Sequence, residues 1–144
     1  MIAVRIHPVV LGGLGLVPFA ALAIGVYAAP AHAPLLIKAL MFYGATILAF
    51  LGGVHWGVAV NAANAPAHLY LSGVIPQLLG FGALLAPPVF GLSLLAAGLM
   101  AMLVTDFVYM RAQLLPKWFL KLRLGLSLSA TACLCSVLPA VAHF

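Results

Sequence analysis

Acidic residues are almost missing from this 144-residue chain: Asp106 stands alone against six lysines and arginines. One carboxylate excludes the paired acids of a glycoside hydrolase and leaves too few oxygen ligands for magnesium-dependent phosphoryl transfer. Charge of either sign is scarce, at 5% of residues, where a soluble domain carries roughly a quarter. Zinc-ligand spacing, a glycine-rich nucleotide loop and a Ser-His-Asp order are missing too, so the sequence points to a protein without enzymatic activity, bound metal or cofactor. Cysteine is limited to Cys133 and Cys135. On a helix, side chains two residues apart point ~200° away from each other, so these two read as packed or lipid-facing thiols and not as a bridge or chelate.

What fills the chain is hydrocarbon. Hydrophobic residues make up 67% of it and mean hydropathy is +1.29, the composition of an integral membrane protein. A net charge of +5 suits nucleic acid only when the basic residues share a solvated face. Here Arg111, Lys117, Lys121 and Arg123 sit in one short segment between apolar runs. That placement is a topology signal, with contact to anionic lipid headgroups as a second role, and it makes the bilayer the first partner and excludes nucleic acid.

Proline and turn residues divide the apolar sequence into five runs of bilayer-spanning length, at about residues 9–29, 35–61, 69–86, 89–110 and 119–142. The first run has a basic head and is followed by Ala31-His32-Ala33, which resembles a signal peptide, but it is longer than a typical hydrophobic signal region. The expected fold is therefore all-α: a polytopic membrane protein of one domain, residues 1–144, with five transmembrane helices. Arg5, Arg111, Lys117, Lys121 and Arg123 fall on one side of that threading and Lys38 on the other. The positive-inside rule then places the N-terminus in the cytoplasm and the C-terminus outside. Pro76 lies within the third run, where it removes a helical hydrogen bond, so a kink is expected near residues 72–76.

The same threading brings the costly polar residues to one depth. His55, Gln77, Asp106 and Arg123 belong to four different spans and fall roughly 6–12 Å from the cytoplasmic boundary at the helical rise per residue. Facing lipid is unfavourable by ~2.5–3.5 kcal/mol for Asp or Arg at the bilayer centre. Asp106 is thus expected to pair with Arg123, or with Lys121, and His55 to point at the same cluster. Two readings of the cluster stay open: polar glue that sets helix packing, or a protonatable site of His55, Asp106 and Tyr109. Haem ligation is excluded because His7, His32, His68 and His143 lie at or beyond span ends and leave His55 without a second ligand at its depth.

The second span carries small residues on two sides. Ala45, Ala49, Gly53 and Gly57 recur every four residues as a ridge that another helix can approach closely, while Gly52 and Ala59 flank His55. Trp56, Tyr43, Phe50 and Tyr109 are candidate lining residues of a lipid or quinone site.

The segment FYGATILAFLGGVHWG at residues 42–57, VIPQLLGF around Pro76, Asp106 near the end of the fourth span and LPKWFLKLRLGLS at residues 115–127 together resemble a family of small membrane proteins. That family is found in bacteria and, as transmembrane protein 69, in mitochondria, and has no assigned activity. The similarity runs over about residues 8–136. It implies a location in an energy-converting membrane, and without an Arg- and Ser-rich presequence the chain looks like a bacterial member in the cytoplasmic (inner) membrane. The expected role is that of an accessory subunit or assembly factor of a larger respiratory or photosynthetic membrane complex. A minimal transporter or proton-linked carrier using His55 and Asp106 is the alternative, and a lipid- or quinone-binding protein a third.

Overall fold

A computed structural model describes residues 6–141, for Ile6 the backbone alone. Arg5, His143 and the end of the fifth span at Ala142 lie outside the described residues. Five segments are helical, long and apolar enough to cross a membrane: His7–Ala28, Pro30–Asn61, Ala67–Leu85, Pro88–Arg111 and Lys117–Val141. Helices α1 (Ile6–Leu14) and α2 (Val17–Ala28) make the first span. Helices α3 (Ala33–Asn61), α4 (Ala67–Leu85) and α5 (Pro88–Arg111) make the next three, and α6 (Lys117–Ser136) with the short α7 (Leu138–Val141) makes the fifth.

The first and fifth spans, read from the sequence as single helices, are each broken. Both breaks lie just ahead of a proline, at Gly15-Leu16 before Pro18 and at Val137 before Pro139. Proline cannot donate to the preceding turn, and in hydrocarbon a freed carbonyl has no water to accept from. At each break a tyrosine from another span donates to a neighbouring carbonyl, one residue after the carbonyl that the proline leaves without its helical donor. Tyr43 donates to the Gly15 carbonyl at 2.8 Å, and Tyr27 donates to the carbonyl of Ser136. Each capped carbonyl lies three residues before the proline.

Prolines elsewhere begin helices. Pro34, placed in a loop from the sequence, sits in the first turn of α3 behind a 3-10 turn at Pro30–His32, because proline's missing N–H is unpaired there in any case. Pro66, Pro87 and Pro116 are the residues preceding α4, α5 and α6. Pro76 is interior to α4, and the helix continues across it from Ala67 to Leu85.

Helix α3 is the centre of the bundle, packed against α2, α4 and α5. Its closest partner is α4, and the approach is made by glycine. A Cβ on Gly52 would lie 2.3 Å from the Gly73 carbonyl oxygen, and one on Gly80 would lie 3.1 Å from the Ala45 oxygen. These contacts repeat every seven residues on both helices. A seven-residue step turns an ideal helix by only about −20°, whereas a four-residue step turns it by about +40°. The ladder of Ala45, Ala49, Gly53 and Gly57 therefore winds off the contact face. Ala45 is buried and Ala49 half-buried, but Gly53 is exposed, and a Cβ on either Gly53 or Gly57 would meet nothing within 4 Å. The Pro87-Pro88 hairpin closes as tightly, with Gly91 against the Ala83 carbonyl. The main core lies between α2, α3, α5 and α6 around Phe19, Leu40, Leu48, Leu92, Leu95, Leu99 and Leu134.

Neighbouring glycines should thus respond in opposite ways. Gly52→Ala drives a methyl into backbone and is expected to lower stability by about 1–3 kcal/mol. Gly53→Ala should be neutral or slightly stabilising through helix propensity. Thermal unfolding of the two detergent-solubilised variants measures the difference, and equal melting temperatures would contradict the packing described.

Candidate functional site: a buried His-Asp-Arg triad

Asp106 sits about one turn from the end of α5, where the chain turns through residues 112–116 into α6. Gln113, with a φ of 61°, occupies the left-handed region and lets the Leu114 and Leu115 N–H groups return to the Tyr109 carbonyl at 2.9 and 3.3 Å. This tight reversal sets Arg123 of α6 beside Asp106. The close α3–α4 approach places His55 on the other side.

The carboxylate is shared between two donors. Arg123 Nε donates to Asp106 Oδ2 at 2.8 Å, and His55 Nε2 lies 2.8 Å from Asp106 Oδ1. All three residues are buried, with 1%, 2% and 5% exposure for His55, Asp106 and Arg123. An ionised carboxylate only accepts, so the histidine nitrogen facing it carries the proton. Beside the triad, the Tyr109 ring stands 4.8 Å from the His55 ring, centroid to centroid. Its hydroxyl is 2.6 Å from Ser72 Oγ. Ser72 already gives its proton to the Leu69 carbonyl, so Tyr109 is the donor in that pair. Ala59, Leu69, Tyr109 and Leu115 form a small apolar cluster at this end of the bundle.

The four-residue polar layer expected from the sequence is corrected to three. Gln77 is exposed on α4 and stands apart from His55, Asp106 and Arg123. It follows Pro76, which is buried, and one residue of helix rotates a side chain ~100° away. Lys121, the alternative partner of Asp106, is exposed.

The four aromatic candidates do not converge on one site. Tyr43 is committed to the Gly15 carbonyl and packs edge-on to Phe19, Trp56 is half-exposed against Tyr70, and Tyr109 belongs to the triad's flank. Phe50 alone of the four lines a cavity of about 330 Å³, between α1, α3 and α6. Tyr43 and Phe50 are seven residues apart and share a face of α3, but the six-residue step to Trp56 turns away from it.

Ser72 was not legible as a member of this site. Its only sequence signal is its position four residues before Pro76, where the helix lacks a donor. Among the described residues no group of three His, Cys, Asp or Glu side chains gathers to hold a metal.

A family model, "Protein of unknown function (DUF3429)", matches residues 4–139. The chain belongs to that family. The resemblance read from the sequence is met again in Transmembrane protein 69 of Xenopus tropicalis, 38% identical over 78 residues. The match covers 52% of this chain and 31% of that relative, so the chain corresponds to under a third of the relative's length. No solved structure matches. What family and fold establish together is an all-helical membrane protein with five membrane-length helices.

In charge the triad is matched within itself, with one negative group, one permanent positive group and a histidine that donates to the same carboxylate, while His55 Nδ1 and Arg123 Nη2 are buried without a hydrogen-bond partner. It joins α3, α5 and α6 at one depth. Removing Asp106 or Arg123 alone leaves a buried charge without its partner, with a loss of about 3–5 kcal/mol. Asp106→Asn and Arg123→Gln should each reduce the folded yield in membranes, and the double variant should lose less than the sum of the two. Strict additivity in thermal unfolding would show that the two side chains are not coupled.

Proposed function

We propose that the protein acts without enzymatic activity of its own, as an accessory subunit or assembly factor of a larger complex in an energy-converting membrane. The observation that carries this reading is the uncovered side of α3. Gly53 and Gly57 lie on the most central helix, yet nothing stands within 4 Å of where their Cβ atoms would be, and Phe50 and Trp56 are exposed beside them. Glycine inside a helix is unfavourable by about 1 kcal/mol relative to alanine. Against lipid that loss has no return, whereas a partner helix gains close approach from it. Gly13 and Gly125 are open in the same way across α1 and α6. The open glycines lie within the membrane-length helices, so a partner meets them within the bilayer. The basic residues Arg111, Lys117 and Lys121, exposed around the α5–α6 turn, support placing that end on the cytoplasmic or matrix side and the N-terminus with it.

Proton-linked carriage through His55 and Asp106 is the competing reading, and the triad's internal pairing favours the brace over it. Mild detergent extraction followed by native electrophoresis should show the protein migrating with a large complex. Gly57→Leu should abolish that co-migration while leaving the melting temperature of the isolated protein unchanged. A lone small band for the unaltered protein would count against an accessory role, and pH-dependent uptake lost in a folded His55→Ala variant would favour the carrier.

A further inference from the structure

Among the described residues three polar side-chain atoms of α6 are buried without a hydrogen-bond partner: Thr131 Oγ1, away from the cavity, and two that line it. Arg123 spends Nε on Asp106, but its Nη2 is buried with no hydrogen-bond partner, and Ser127 Oγ, one turn further along, is buried and unpartnered as well. A buried donor left unpaired is destabilising by about 1–3 kcal/mol, more when the donor is charged. Both residues line the same cavity of about 330 Å³. That volume falls within the roughly 300–1,000 Å³ of small-molecule sites. Its remaining walls are apolar apart from the Trp118 indole, among them Phe19, Leu51, Val54 and Phe119. Pro8, Leu11 and Phe50 complete the rim, the last two widely exposed, so the cavity opens sideways toward lipid between α1 and α3. The break in the first span contributes Gly15 and Leu16 to its wall.

The geometry points to a binding site for a neutral, membrane-soluble molecule that presents a carbonyl oxygen to Arg123 Nη2 and Ser127 Oγ and lays an apolar body in the cavity. The head must accept hydrogen bonds, because a guanidinium only donates. It must also be neutral. Asp106 already balances Arg123, so with His55 uncharged a carboxylate or phosphate head brings an unmatched negative charge into an apolar pocket, close to the Asp106 carboxylate. A quinone ring and the ester of an uncharged acyl lipid share this chemistry. The site rests on Arg123, Ser127 and the cavity and does not depend on the accessory reading, although Phe50 borders both surfaces.

Trp118 reports on the cavity, and Trp56→Phe removes the other tryptophan, which packs on Tyr70 away from it. In that background, decylubiquinone should quench Trp118 fluorescence saturably in the purified full-length protein. Ser127→Ala, which leaves the ion pair intact, should weaken binding roughly five- to tenfold, the loss of one hydrogen bond. Val54→Phe fills the cavity and should abolish saturation, with an unchanged melting temperature showing that each variant is folded. Dodecanoate, of similar length but anionic, should compete at least tenfold less well than decylubiquinone competes with itself. Dioleoylglycerol competing as well as the quinone would support the carbonyl site and identify the acyl ester as its occupant; failure of the glyceride to compete would support the site and identify the quinone. Non-saturating quenching, indifference to both variants, or displacement by dodecanoate at equal concentration would each overturn the proposal.

Discussion

Hydrocarbon offers no partner to a charge, and the arrangement of this protein follows from how its one acid is kept from lipid. Asp106 receives Arg123 on one oxygen and His55 on the other, so a single carboxylate ties α3, α5 and α6 together at one level. Close glycine contacts fix the register of α3 and α5 by shape. The triad adds a constraint by charge, because any shift that separates the groups leaves one of them buried and unpaired.

The backbone obeys the same constraint. Prolines interrupt the helices of the first and last spans, and a tyrosine hydroxyl from another span donates to a carbonyl beside each break. Tyr43 and Tyr27 thereby couple the broken spans to the rest of the bundle. The first break also borders the lateral cavity, where Gly15 and Leu16 form part of the wall that Arg123 lines.

Glycine has two separate roles. Gly52, Gly73, Gly80 and Gly91 face backbone or side chains inside the bundle and permit helix contacts that a methyl group would block. Gly53, Gly57, Gly13 and Gly125 face open space. The first group makes the fold. The second group contributes nothing to packing within the chain, and it is the feature on which the proposed accessory role rests.

Composition alone determined the class of this protein, the number of its spans and the scarcity of chemistry in it, since length and hydropathy are properties of the chain that no packing can change. The pairing of Asp106 with Arg123 was legible too, because one acid near the end of one span has few basic residues within reach at its depth. Depth, however, follows from position along a helix, whereas facing depends on rotation and on which helix becomes the neighbour. For that reason Gln77, which the Gly52–Gly73 and Ala45–Gly80 register sets level with Leu48 and ~10 Å along the helix from His55, stands outside the triad, and the four-step ladder of Ala45, Ala49, Gly53 and Gly57 yields the contact face to a seven-step one. Ser72, the two tyrosine caps and the cavity beneath Arg123 were settled only by tertiary structure, since each joins residues whose approach depends on how separate helices are turned toward one another.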